Sequence, residues 1–238
     1  MRINKYLAEC GIASRRRSEE IILDGKVSVN GKIVTNLATE IEQSDTVSVG
    51  GKRVTPIQKH IYLMLHKPKG YVTTVSDDKG RKTVMDLVKR DYPNARLFPV
   101  GRLDYDTEGL LLLTTDGELC NRISHPRNEI EKVYSVRITG EISELELDQL
   151  RRGVEVDGVL TKKCRAKFAS YNNKTKQSKV EITISEGLNR QVRKMFEAIN
   201  KDVVFLKRIS VGNLHLGGIS RGEYRRLSEA EIDYLKRV

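Results

Sequence analysis

The dipeptide Asn30-Gly31, set between Val27-Ser28-Val29 and Lys32-Ile33-Val34, constrains this chain more than any other local feature. A two-residue connection between alternating runs needs left-handed backbone at both central positions, which Asn and Gly tolerate, so the spacing predicts a tight hairpin. What precedes it reads as helical. Ile3, Tyr6, Leu7 and Cys10 fall at i, i+3, i+4 and i+7, one apolar face closed by Gly11. Ser14 suits an N-cap, and a second helix is expected from there to Gly25. Its first turn holds Arg15, Arg16 and Arg17. Cations at a helix N-terminus oppose the helix dipole, so stability does not place them there. A bound anion, phosphate first among candidates, resolves the conflict; a solvated basic turn is the alternative.

A second hairpin-like run covers Val47 to Lys52, and apolar patterning stops at Thr55-Pro56-Ile57-Gln58-Lys59. This divides the chain into a module at 1–56, a linker at 57–60 and a body at 61–238. The body carries β-branched runs at Ile61–Leu65, Leu110–Thr114, Val133–Ile138, Val180–Ile184 and Val203–Ile209, with helical stretches at Thr83–Arg90 and Gln191–Asn200. That pattern predicts an α+β fold: a mixed, mainly antiparallel sheet flanked by helices.

Charge narrows the partners. The 238 residues hold 43 Lys and Arg against 32 Asp and Glu, a net charge of +11, which excludes an acidic binder and points to polyanions. Residues 1–59 contribute 10 basic and 7 acidic residues and the remainder 33 and 25, so both parts are basic and the body is expected to grip its ligand itself. No apolar run reaches membrane-spanning or signal-peptide length, so no membrane contact is expected. Cys10, Cys120 and Cys164 stand far apart without a Cys-x-x-Cys pair, which predicts no zinc site and a reducing, cytoplasmic location.

Three stretches can carry chemistry. In Gly101-Arg102-Leu103-Asp104-Tyr105-Asp106-Thr107-Glu108-Gly109, a polar loop with three acids leads into the apolar run Leu110–Leu113, a layout that can hold a reactive carboxylate at the edge of a rigid core. Lys132-Val133-Tyr134 opens a strand in which Tyr134 and Val136 share a face, so Tyr134 points either at the core or at a ligand. Glu186 to Phe196 opens a helix with Arg190, Arg193 and Lys194 near its start, where a phosphate or a carboxylate partner would offset the dipole.

Two resemblances join these pieces. Arg2-Ile3-Asn4-Lys5-Tyr6-Leu7, Ser14-Arg15-Arg16-Arg17-Ser18-Glu19-Glu20 and Gly25-Lys26-Val27-Ser28-Val29-Asn30-Gly31 resemble the α-L RNA-binding module first recognised in a small-subunit ribosomal protein. The match implies RNA contacts from Arg2, Lys5, Ser14, Arg15, Arg16, Arg17, Lys26, Asn30 and Lys32. Lys67-Pro68-Lys69-Gly70, the Gly101–Thr114 stretch, Lys132-Val133-Tyr134 and Gln191-Val192-Arg193-Lys194-Met195 then occur in the order seen in ribosomal RNA pseudouridine synthases of the small-subunit synthase A type, which the chain resembles over nearly its whole length. The resemblance implies isomerisation of a flipped-out uridine in structured ribosomal RNA, with large-subunit RNA preferred and a small-subunit target by the same chemistry as the alternative. It gives Asp104 the catalytic role, pairs Arg193 with it, stacks Tyr134 on the uracil and sets Arg102 against the RNA. Arg190 and Lys194 are expected to bind RNA phosphates. No cofactor, metal or protein partner is implied, and a monomer is expected. Leu188 departs from the pattern, standing where the family often has a basic residue.

Two rivals remain at this level. Asp104, Asp106 and Glu108 share a face in an extended segment and could hold Mg²⁺ for an RNA hydrolase, though Arg102 beside them would repel a cation. A non-enzymatic ribosome-assembly binder would keep the module and lack the chemistry.

Overall fold

The computed structural model describes residues 1–238, apart from the side chain of Pro126. The chain forms two compact units: residues 1–61 with 94–96 and 115–117, and residues 62–93, 97–114 and 118–238.

In the first unit, α1 (Ile3–Glu9) and α2 (Arg15–Leu23) lead to β1 (Val27–Val29), β2 (Lys32–Ile33), β3 (Val47–Val49) and β4 (Lys52–Val54). Ser14 caps α2, its hydroxyl accepting from the Arg17 amide at 3.1 Å. Asn30 and Gly31 take φ of 51° and 80°, the left-handed pair that the hairpin demands. The strands run in the order β2-β1-β3-β4, all neighbours antiparallel. Ile3 and Leu7 from the apolar face of α1 are fully buried with Ile22, Val27 and Val47. Tyr6 and Cys10, expected on the same face, stop at its half-buried edge. Ile57, expected to begin the linker, belongs to this unit: its amide donates to Glu9 O at 3.0 Å and its side chain meets Gly11.

The second unit is built on nine strands. Its elements are β5 (Tyr62–Lys67), β6 (Phe98–Val100), β7 (Glu108–Thr114), α3 (Gly117–Ser124), β8 (Lys132–Thr139), α4 (Glu144–Arg152), β9 (Glu155–Val156), β10 (Val159–Leu160), β11 (Arg165–Asn172), β12 (Gln177–Ile184), α5 (Gln191–Glu197), β13 (Val203–Val211), β14 (Leu214–His215), β15 (Tyr224–Arg226) and α6 (Glu229–Arg237). The order is β11-β12-β8-β13-β7-β5-β15, with β6 against β7, β14 against β13, and β9 and β10 paired apart. Every pair is antiparallel except β13 with β7, which makes the sheet mixed and mainly antiparallel. Met64, Leu110 and Leu112 from the sheet pack with Leu119 and Ile123 of α3 and Leu235 of α6.

The expected helix at Thr83–Arg90 is shorter. Only Val84–Leu87 forms a 3₁₀ turn, because Asp86 closes a capping box on Thr83 while Val84 N donates to Val72 O, tying the stretch to a neighbouring loop instead of a helix axis. The helix expected at Gln191–Asn200 ends at Glu197, and Asn200 turns left-handed at φ 59°.

Candidate active site

The loop between β6 and β7 is held by its backbone. Lys67, fully buried at the end of β5, donates from Nζ to Asp104 O at 2.9 Å, Thr107 O at 2.8 Å and Pro68 O at 3.1 Å. Thr73 Oγ1 donates to Leu103 O at 2.7 Å, Gly70 N to Tyr105 O at 2.9 Å, and Arg193 Nη2 to Asp106 O at 3.0 Å. Five successive carbonyls, Leu103 through Thr107, are thus each bonded, which fixes where the intervening side chains point.

What the loop presents is the Asp104 side chain. It faces a cavity of about 270 Å³ that Arg102, Tyr134, Lys132, Arg190 and Arg208 also line. No described residue donates to its carboxylate. Tyr134 is buried and also lines the cavity. Arg208 is buried as well, and its Nε donates to Leu110 O at 2.8 Å.

Arg193 does not pair with Asp104. Its Nε lies 3.2 Å from Asp106 Oδ2, and Arg190 forks onto the same carboxylate at 3.0 and 3.1 Å. The reason is the turn closed by Thr107 N to Asp104 O, which sends Asp106 toward α5 and Asp104 toward the cavity. Burial works against the Asp106 charge, yet the two guanidinium groups hold its carboxyl below the usual range. The cations at the start of α5 therefore meet a carboxylate, not an open surface, and Lys194 likewise is paired with Asp157. Lys194 does not line the cavity. Leu188 sits on the cavity rim, its amide bonded to the Gln191 side chain.

The three acids of the loop diverge. Asp104 faces the cavity, Asp106 is taken by two arginines, and buried Glu108 pairs with Arg221 at 3.0 Å. That arrangement offers no shared cation site.

In the first unit, Arg15, Arg16 and Lys32 are exposed, and Arg2 starts α1, its backbone bridging to Glu40. Arg17 is bonded to Glu20 and Lys26 to Asp24, so part of the charge at α2 is met internally. Lys5 lies 3.5 Å from Glu9. Asn30 spends its amide on the fold: Nδ2 donates to Asp45 and Oδ1 accepts from Thr46 N.

Sequence reasoning assigned no role to Lys67, Lys132 or Arg208, and named Asp106 only as a candidate Mg²⁺ ligand. Lys67 and Lys132 lay inside quoted motifs, whereas nothing in the β-branched run around Arg208 marked it. Burial pushes the Lys67 ammonium down to about 8, against the pull of the Asp104, Asp106 and Glu108 charges. Lys132 is pushed down to about 8 by burial and by the Arg208 charge.

Replacing Lys67 by Met is expected to cost about 2–4 kcal/mol, because buried carbonyls lose their donor, and to slow the reaction by loosening the loop; thermal unfolding and a single-turnover rate check both. The pH dependence has two opposite signs. Above about 8 the folded Lys67 loses the proton that serves its third carbonyl, so the rate should fall on an alkaline limb near that pH. Stability moves the other way: between about 8 and the ordinary 10.5 the unfolded chain holds more protons, so this group's contribution rises with pH. A rate flat to pH 10 would contradict the first, and loss of the limb in Lys132→Gln would transfer it to Lys132.

The chain thus carries a mixed sheet with a tethered acidic loop over a cavity and, as a separate unit, a small helix-helix-hairpin module, and known RNA-modifying enzymes match both. Residues 61–198 match the RNA pseudouridylate synthase family and residues 1–47 match the S4 domain. The chain belongs to the RNA pseudouridylate synthase family. It is 44% identical to the ribosomal large subunit pseudouridine synthase B of Bacillus subtilis over 99% of this chain and 95% of the relative. It is 42% identical to an uncharacterized RNA pseudouridine synthase of Aquifex aeolicus, covering 99% and 93%. A crystal structure of a pseudouridylate synthase superposes with a TM-score of 0.70 at 33% identity, covering 99% of both chains.

Proposed function

We propose that this enzyme converts a uridine of large-subunit ribosomal RNA to pseudouridine, with Asp104 as the catalytic group. The observation that carries the reading is a carboxylate free of protein partners, facing the cavity from a loop bonded at five successive carbonyls. The large-subunit target rests on the 44% identical relative from Bacillus subtilis.

The reaction breaks the bond from ribose C1′ to uracil N1, turns the base and joins C1′ to C5, after which C5 loses its proton to solvent and N1 takes one up. Atoms and electrons balance within the nucleotide, so no redox partner or water enters. Asp104 starts the step as an ionised carboxylate. Tyr134 lies against the base, and Arg102 at the rim contacts the RNA or fills the gap left by the flipped nucleotide. Arg193 acts at one remove: by bonding Asp106 O it holds the turn that aims Asp104. Exposed Arg15, Arg16 and Lys32 of the S4 unit supply phosphate contacts. The enzyme is expected to act as a monomer in the cytoplasm, where its three free thiols stay reduced.

Tritium release tests the reading, since isomerisation leaves mass unchanged. Large-subunit RNA labelled at uracil C5 should lose label to water with the full-length enzyme, in the presence of a chelator as in its absence. Loss of activity on chelation, or no release from any ribosomal RNA, would overturn it.

A further inference from the structure

The sheet face turned away from the cavity carries cations that its own stability does not require. Along β8, Tyr134, Val136 and Ile138 are buried while Arg137 is exposed on the other side. In register, Arg137 stands opposite Lys179 of β12 on one flank and Phe205 of β13 on the other. Residues so opposed have Cβ atoms about 5 Å apart, and like charges there destabilise the sheet. No described acid pairs with Arg137, Lys179 or Lys69. The next row is balanced by contrast: Lys167 stands opposite Glu181 and Lys207 opposite Glu108, itself paired with Arg221.

The unbalanced row is also organised. The Arg137 guanidinium lies 4.3 Å from the Phe205 ring centroid and Lys69 Nζ lies 5.0 Å from it, so one ring positions two cations. A hollow of about 480 Å³ opens on this face; Arg137, Lys179 and Phe205 line one part of it, and the balanced row, Glu181, Lys207, Glu108 and Arg221, lines the other.

We propose that the strip Lys179, Arg137 and Lys69, held on Phe205, binds the phosphodiester backbone of the RNA substrate at a second place, across the sheet from the cavity. The proposal rests on RNA being the substrate. Phosphate suits the strip because an Arg fork and flanking ammonium groups in a row match a chain of singly charged anions. A protein partner fits less well. Lys179, Arg137 and Phe205 lie on inner strands of the sheet, with no free edge for strand addition, and the strip's one large apolar side chain is already in contact with two cations. A sheet with its side chains is about 10 Å thick, so an RNA engaging both faces must extend well beyond the target nucleotide.

The test is the salt dependence of binding between the full chain and a large-subunit RNA fragment. Lys69→Gln, Arg137→Gln and Lys179→Gln together should reduce the log–log salt slope by about 2, at about 0.7–0.9 per lost phosphate contact. Single-turnover tritium release at saturating protein should stay within about twofold of the unmodified enzyme. Lys89, Lys163 and Lys236, exposed elsewhere on the same unit, serve as the control triple. An equal drop in slope from the control would show bulk charge alone and overturn the proposal. So would an unchanged slope in the strip triple, which would turn the strip into a candidate protein contact. Failure of the functional reading is distinguishable: it appears as no tritium release from the unmodified enzyme, whatever the slopes.

Discussion

Asp104→Asn is expected to lower tritium release by on the order of 10⁴-fold or more, the scale seen when a covalent or proton-transferring group is removed from an enzyme. The amide keeps the shape of the carboxylate and lacks its charge, so it can neither attack nor accept a proton. The fold should not notice. The Asp104 backbone carbonyl, bonded by Lys67 and the Thr107 amide, is unchanged by the substitution, and the side chain has no described partner to lose. Stability within about 0.5 kcal/mol of the unmodified chain is therefore expected from thermal unfolding. RNA binding should persist, since the change removes a negative charge from a site that meets phosphates. Release comparable to the unmodified enzyme would end the assignment.

The contrast between what the chain announced and what it concealed has a physical cause. Asn30-Gly31, the Ser14 cap and the apolar face of α1 are local features, decided by residues a few positions apart, and the structure has them where spacing places them. The β-branched runs marked the strands of the body for the same reason. Thr83–Arg90 misled because its fate depends on Val72, eleven residues earlier, which competes for the Val84 amide. The loop acids misled in another way. Spacing puts Asp104, Asp106 and Glu108 on one face, but a turn at Thr107 and a left-handed Gly109 send them in three directions. Which arginine meets which acid is decided only when α5 arrives from more than eighty residues away, so Arg193 on Asp106 could not be read in advance. Lys67 carried the weakest signal of all: a lysine reads as surface, and its burial follows from three carbonyls that the fold gathers around it.

Gly109→Ala should severely damage the fold. Gly109 sits at φ +117° in β7, a region that L side chains avoid at a cost of about 1–3 kcal/mol. The second problem is space. A Cβ built there would lie 2.2 Å from Arg208 O and 2.6 Å from Arg208 N, and both atoms are backbone that cannot swing away. Gly109 and Arg208 are register partners in the parallel pairing of β7 with β13, so relief requires the two strands to part. Parting them loosens the Arg208 bond to Leu110 O and the Lys67 bond to Thr107 O, which together join the cavity wall to the loop. A loss above about 4 kcal/mol is expected, which for a chain of this size lowers the unfolding midpoint by about 10 °C, with tritium release falling in step. Gly80→Ala provides the comparison. Gly80 is also left-handed, at φ +68°, but a Cβ there meets nothing within 4 Å, so only about 1–2 kcal/mol of backbone strain should appear. Equal destabilisation by the two changes would show that conformation alone, and not the contact between β7 and β13, sets the need for glycine at 109.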